Sequence, residues 1–99
     1  MLTRTSAAIV AGCVIMGQAH ADDYDDARQA AVIIAGETVC KTVVSENLKR
    51  ILYSKMLAGF HTPSQVSFDI EIEIEALNKL APPDRMAMCE AIANLVKAL

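Results

Sequence analysis

Apolar residues recur along most of the chain at the three- and four-residue spacing that is typical of an amphipathic helix. This spacing predicts a helical stretch from Asp22 to about Met56, in which Gly36 marks a possible kink or join. The apolar residues from Cys40 onward share one face, interpreted as core, with a partner-binding groove as the alternative: Cys40, Val43, Val44, Leu48, Ile51 and Leu52. The residues that follow this stretch, Gly59–His61, are interpreted as a loop.

The segment from Val66 to Glu75 satisfies two opposing rules. Its alternation of apolar and acidic residues is a strand signature, but its residues also form one apolar helical face, made of Val66, Ile70, Ile74 and Leu77. Thr62, Pro63 and Gln65 before it form a helix start signal. Because no second alternating run exists to pair with a strand, the helix is favoured, and a strand completed by another molecule is the alternative.

Two prolines, Pro82 and Pro83, end that helix and begin the last one. The apolar face predicted for the last helix comprises Met88, Cys89, Ile92, Leu95, Val96 and Leu99. The patterns together predict an all-α fold, a small bundle of three to four short helices.

The first twenty-one residues have the pattern of a cleaved secretory signal. Arg4 gives a positive start, an apolar run follows over 5–16, and Ala19-His20-Ala21 places small residues where a leader peptidase cleaves. Residues 1–21 are therefore predicted to be removed, which leaves 22–99 as one small domain in the periplasm or outside the cell. The alternative is a lipoprotein anchored through Cys13, which ends a Val-Ala-Gly-Cys sequence, and membrane attachment is expected only in that case.

Two cysteines, Cys40 and Cys89, remain once Cys13 is removed with the signal. An even pair in a small exported domain predicts a disulfide, here closing a loop of about 50 residues and contributing roughly 4 kcal/mol of stability. Both cysteines lie on apolar helix faces, as a crosslink between two helices requires. A redox or metal pair is disfavoured because the spacing is long and His61 would be the single histidine left.

Charge and composition exclude several classes of function. The net charge of −3 becomes −4 when Arg4 is lost, so nucleic acid binding is not expected. The sequence contains no catalytic motif, and no enzyme activity, cofactor or metal is predicted. The acidic residues of the alternating segment, Asp69, Glu71, Glu73 and Glu75, do not form a calcium site, because helical residues two apart diverge.

The surplus apolar residues Phe68 and Ile72 fall on the second face of the alternating segment. With Asp69, Glu73 and Glu75 beside them, they are the predicted partner-binding patch. The chain is thus predicted to be an exported interaction protein that docks a helical face on a larger partner, such as an envelope or secretion/conjugation accessory or an inhibitor, or that forms a homodimer. In size, compartment and cysteine spacing it is similar to the small periplasmic acid-stress chaperones, a resemblance that implies a holdase as the alternative.

Overall fold

A computed structural model describes the backbone from Ile15 to Leu99 and the side chains from Asp23 onward. The part of the chain it describes folds into four helices without a strand, so the predicted all-α bundle is confirmed. In chain order the helices are α1 Ile15–Cys40, α2 Glu46–Phe60, α3 Pro63–Lys79 and α4 Pro82–Ala98. The predicted signal peptide, its cleavage site at Ala21 and the lipidation alternative at Cys13 lie outside the residues whose side chains are described.

Helix α1 is the centre of the bundle. Its buried face consists mainly of alanines, and this small-residue surface lets α2 and α3 pack closely against it. The buried residues of the larger core cluster come from α1, the α1–α2 connection, α2 and α3: Ala27, Ala30, Ala31, Ile33, Val44, Leu52, Met56, Phe60 and Val66. A smaller cluster of Ala35, Leu77 and Ile92 joins α1, α3 and α4 near the disulfide.

The predicted join at Gly36 is wrong, because α1 continues through this residue to Cys40. Gly36 is instead a packing position: a Cβ there would lie 2.8 Å from Cγ2 of Ile92 on α4. The break comes at 41–45, where Lys41 adopts a positive φ of 61° and Ser45 caps α2 by accepting a bond from the Leu48 amide at 3.1 Å.

This break also explains why part of the predicted apolar face is exposed. Val43 lies in the connection between α1 and α2, and 85% of its surface is accessible. A helix that restarts at Glu46 has a new angular phase, so Leu52 is buried while Ile51 is exposed. On α4, Ile92 is buried, whereas Met88 and Leu99 are exposed, contrary to the prediction.

The predicted loop at Gly59–His61 is mostly helix. Helix α2 continues through Phe60, and His61 ends it with a φ of 79°. Gly59 lies in the last turn of α2, and the helix approaches α1 so closely there that a Cβ would lie 2.5 Å from the Asp23 carbonyl oxygen. Phe60 is buried and packs edge-to-face on Tyr24, with the ring centroids 5.8 Å apart.

The start of α3 follows the sequence signal. The Gln65 amide donates to Thr62 Oγ1 at 3.1 Å, and Pro63 is the first helical residue. The Gln65 side chain does not complete a capping box, since it donates to Asp69 Oδ2 at 2.8 Å instead. A side chain of α4 holds the connection between α3 and α4: the Arg85 guanidinium donates to the Leu80 carbonyl at 3.1 Å.

The predicted disulfide between Cys40 and Cys89 is confirmed. Its two Cα atoms are 5.5 Å apart, within the usual range, and it joins the last residue of α1 to the middle of α4. Because α4 makes fewer contacts with the bundle than α2 and α3 do, the crosslink is a main attachment of this helix.

Candidate functional site

The outer face of α3 exposes two large apolar side chains. Phe68 is 59% and Ile72 43% accessible, and they lie one helical turn apart, so their side chains are neighbours on the surface. The opposite face of the same helix is the core face, where Val66 and Leu77 are buried and Ile70 and Ile74 partly buried. The segment is thus a helix with one face in the core and a second apolar face in solvent.

The acidic residues of this segment divide into two groups. Glu71 and Glu75 border the two exposed apolar side chains. Asp69 and Glu73 lie on the other flank of α3, where Asp69 accepts the Gln65 bond and Glu73 approaches Arg28 of α1 to 4.0 Å.

We therefore define the α3 patch as Phe68, Glu71, Ile72 and Glu75. Of the acidic residues named from the sequence, Glu75 is a member, whereas Asp69 bonds within α3 and Glu73 approaches Arg28 of α1. Glu71 was not chosen from the sequence, although it lies four residues before Glu75 and so shares its helical row.

A second surface was not anticipated from the sequence. An open groove of about 490 Å³ lies where α1, α2 and α3 meet, with Ile34, Met56 and Ile70 forming its apolar floor. Its rim is formed by residues of α2: Lys49, Arg50, Tyr53 and Ser54. We call this surface the basic groove. The available signal was the spacing of Tyr53, which follows Lys49 and Arg50 by one turn.

The two cations of the rim are in different electrostatic states. Lys49 Nζ lies 3.0 Å from Oε2 of Glu37 and 3.1 Å from Oε2 of Glu46, and these bonds raise the pKa of its ammonium above the ordinary value of 10.5. Arg50 has a single long bond, 3.4 Å, to the Asn47 side chain, and no carboxylate of the described residues lies within 4.0 Å of it. Arg50 is thus the cation available to an incoming anion.

Within the described residues, no group of three His, Cys, Asp or Glu side chains is placed to hold a metal ion. His61, at the end of α2, is exposed. None of the helices that the structure describes is both long and apolar enough to cross a membrane.

The α3 patch and the basic groove both include residues of α3 or border on them. Ile70 lies on the floor of the groove, and Ile74, one turn later, lines the edge of the patch. An apolar surface bordered by charge is typical of a protein–protein contact, and the charged residues of the two surfaces that form no ion pair among the described residues, Arg50 and Glu71, have opposite sign. Comparison with protein-family models, with curated proteins and with solved structures finds no match to this chain.

Proposed function

We propose that the protein is an exported, non-enzymatic interaction protein whose α3 patch docks on a protein partner in the periplasm or outside the cell. Partners of this kind include a larger envelope, secretion or conjugation assembly, or a protein that the chain inhibits. The observation that carries the proposal is the exposure of Phe68 and Ile72 on a helix whose core face is already complete. In their exposed positions these two side chains contribute no burial free energy to the fold. A partner that covered them would bind with the free energy of burying two large apolar side chains.

Two further features support export. The disulfide is of the kind that persists in an oxidising compartment. The buried core described above begins at Ala27, so cleavage after Ala21 would leave all of it in the mature chain. Cleavage there would also place Asp22, Asp23, Asp25 and Asp26 at the start of α1, where a helix dipole favours anions.

Photo-crosslinking in the producing cells tests the proposal. A photo-reactive residue at position 72 is expected to give covalent adducts with protein, whereas one at Lys97, an exposed position on α4, is not. Adducts at neither position, or equally at both, would contradict docking through the α3 patch.

A double substitution separates docking from folding. Phe68→Ser with Ile72→Ser is expected to keep the melting temperature nearly unchanged and to abolish capture of the partner. The matched control is Met86→Ser with Met88→Ser, which removes two exposed apolar side chains of α4. If the α3 variant unfolds, with a loss of about 3 kcal/mol or more, both side chains belong to the core and the patch is not a docking site.

The holdase is a second candidate, and the exposed apolar side chains of the patch favour it. A holdase binds the apolar segments of an unfolded client, and Phe68 and Ile72 offer two large apolar side chains in solvent. A holdase is expected to suppress aggregation of an acid-unfolded client at pH 3, measured by light scattering, and the Phe68→Ser/Ile72→Ser variant should not. Equal activity of that variant and the wild type would remove the α3 patch from a holdase function.

A further inference from the structure

We propose that the basic groove is the docking site for the α3 patch of a second copy of this chain. This inference rests on the proposed function of the α3 patch and names one partner for it. The patch is an acidic, apolar helix face, and the groove is an apolar concavity with a basic rim, so each surface provides what the other lacks. An amphipathic helix laid in an apolar groove is a common mode of protein recognition.

The apolar part of the contact is set by spacing. Phe68 and Ile72, one turn apart, form a ridge along α3. The groove receives this ridge over Met56, Ile34 and Ile70, while the half-exposed Tyr53 ring on the rim would cover it from the side.

The charged residues of the two surfaces leave one ion pair that can form between the two copies. Lys49 already has two carboxylate partners, and Lys79 lies 4.0 Å from Glu75. Arg50 and Glu71 form no ion pair among the described residues, so the Arg50 guanidinium of one copy and the Glu71 carboxylate of the other are the charges free to pair. A guanidinium binds a carboxylate through two parallel bonds, which fixes the orientation as well as the contact.

The position of the two surfaces favours a closed pair. Because α3 contributes Ile70 to the groove and carries the whole patch, a two-fold axis across this helix would let each copy offer its patch and receive its partner's. Such an isologous contact is complete with two copies, whereas a head-to-tail contact would add copies without limit. The dimer would cover both patches, so that a larger partner has to displace the second copy.

Charge reversal tests the inference on the protein as the cell processes it, with its disulfide intact. Native mass spectrometry and sedimentation are expected to show a dimer for the wild type. Arg50→Glu alone or Glu71→Arg alone should weaken self-association at least tenfold, because each places like charges opposite one another. An equimolar mixture of the two variants should recover a 1:1 dimer, since one charge pair is then restored with reversed polarity and the other is the native Arg50–Glu71 pair.

Two controls complete the design. Lys97→Glu changes the net charge as Arg50→Glu does but lies outside both surfaces, and it should stay dimeric. At protein concentrations low enough for the wild type to be monomeric, all variants should melt like the wild type, because both reversed residues are exposed. A monomeric wild type, reversals without effect, or a mixture that stays monomeric would each overturn the inference.

The two proposals fail in different ways. Adducts of position 72 with another protein, from a chain that is monomeric, would leave docking through the α3 patch intact and remove the second copy. Adducts that join position 72 of one copy to the basic groove of a second copy would support the inference. If position 72 gives no adduct, the proposed function and the inference fall together.

Discussion

At the scale of single residues, two glycines set how closely the helices approach. A Cβ at Gly59 would meet the Asp23 carbonyl and the Ala27 Cβ, both at 2.5 Å, and neither is the far end of a flexible side chain. The atoms nearest a Cβ at Gly36 all belong to the Ile92 side chain, the closest being Cγ2 at 2.8 Å, and no backbone atom is among them.

Gly59→Ala is therefore expected to destabilise the protein by about 1–3 kcal/mol through overpacking. Gly36→Ala is its matched control. There the helix propensity gained, roughly 1 kcal/mol, offsets part of the strain at Ile92. Urea unfolding of both variants measures the difference, and a Gly59→Ala variant as stable as Gly36→Ala would contradict the close approach of α1 and α2.

The bonds to Lys49 stabilise the folded protein, and this contribution is lost at alkaline pH. Glu37, and then Glu46, raise the pKa of this ammonium in the folded protein. A group whose pKa is higher in the folded than in the unfolded state contributes its full stabilisation at pH values below the unfolded-state pKa. This contribution is lost as the pH rises through the folded-state pKa. The loss is thus expected above about pH 10.5.

Melting temperatures between pH 8 and pH 12 measure this loss. The wild type should lose stability more steeply over this range than Lys49→Met. Lys55→Met, which removes a lysine of α2 outside these ion pairs, is the control and should follow the wild type. Parallel curves for all three proteins would show that the Lys49 bonds do not stabilise the fold.

At the scale of the elements, α4 depends most on its crosslink. Either Cys40→Ala or Cys89→Ala opens the same loop, so each should cost about 4 kcal/mol, and the double variant should cost little more. Amide exchange of these variants should show that α4 loses protection before α2 and α3.

Free-thiol titration of the native wild type checks the disulfide itself, because two reactive cysteines would exclude the crosslink.

The sequence predicted α3 better than it predicted α1 and α2, for a physical reason. In α3 the cap at Thr62 and the lack of a second alternating run favour a helix over the strand that the alternation also allows, and in that helix the outward position of Phe68 follows from the apolar spacing. Between α1 and α2 the apolar spacing continues across 41–45, although the backbone turns at Lys41. Ser45 followed by Glu46 was the local sign of a new helix.

The spacing of Lys49, Arg50 and Tyr53 on α2 indicates the rim of the basic groove, but spacing does not predict its floor. Its floor unites Ile34, Met56 and Ile70 from three helices, and their meeting depends on how those helices pack. The helix that bears the exposed pair could thus be predicted from one segment, whereas the surface proposed to receive it could not.

At the scale of the whole molecule, we expect the exported protein to be cleaved after Ala21. The described core begins at Ala27, and the signal pattern ends at Ala21, so processing and folding do not conflict. The intact mass of the exported protein should correspond to a chain that starts at Asp22. A mass that includes a lipid on Cys13 would instead place the bundle at a membrane surface.

The position of the disulfide also implies an order of events in time. Cys89 follows Cys40 by 49 residues, so in a chain exported as it is made the first thiol would wait roughly 3–10 s for the second. The buried residues of the larger core cluster all precede residue 67, so α1, α2 and the start of α3 can pack during this interval. Oxidation would then secure the last helix on a bundle already assembled, and a chain cut short before α4 would keep a free Cys40 thiol.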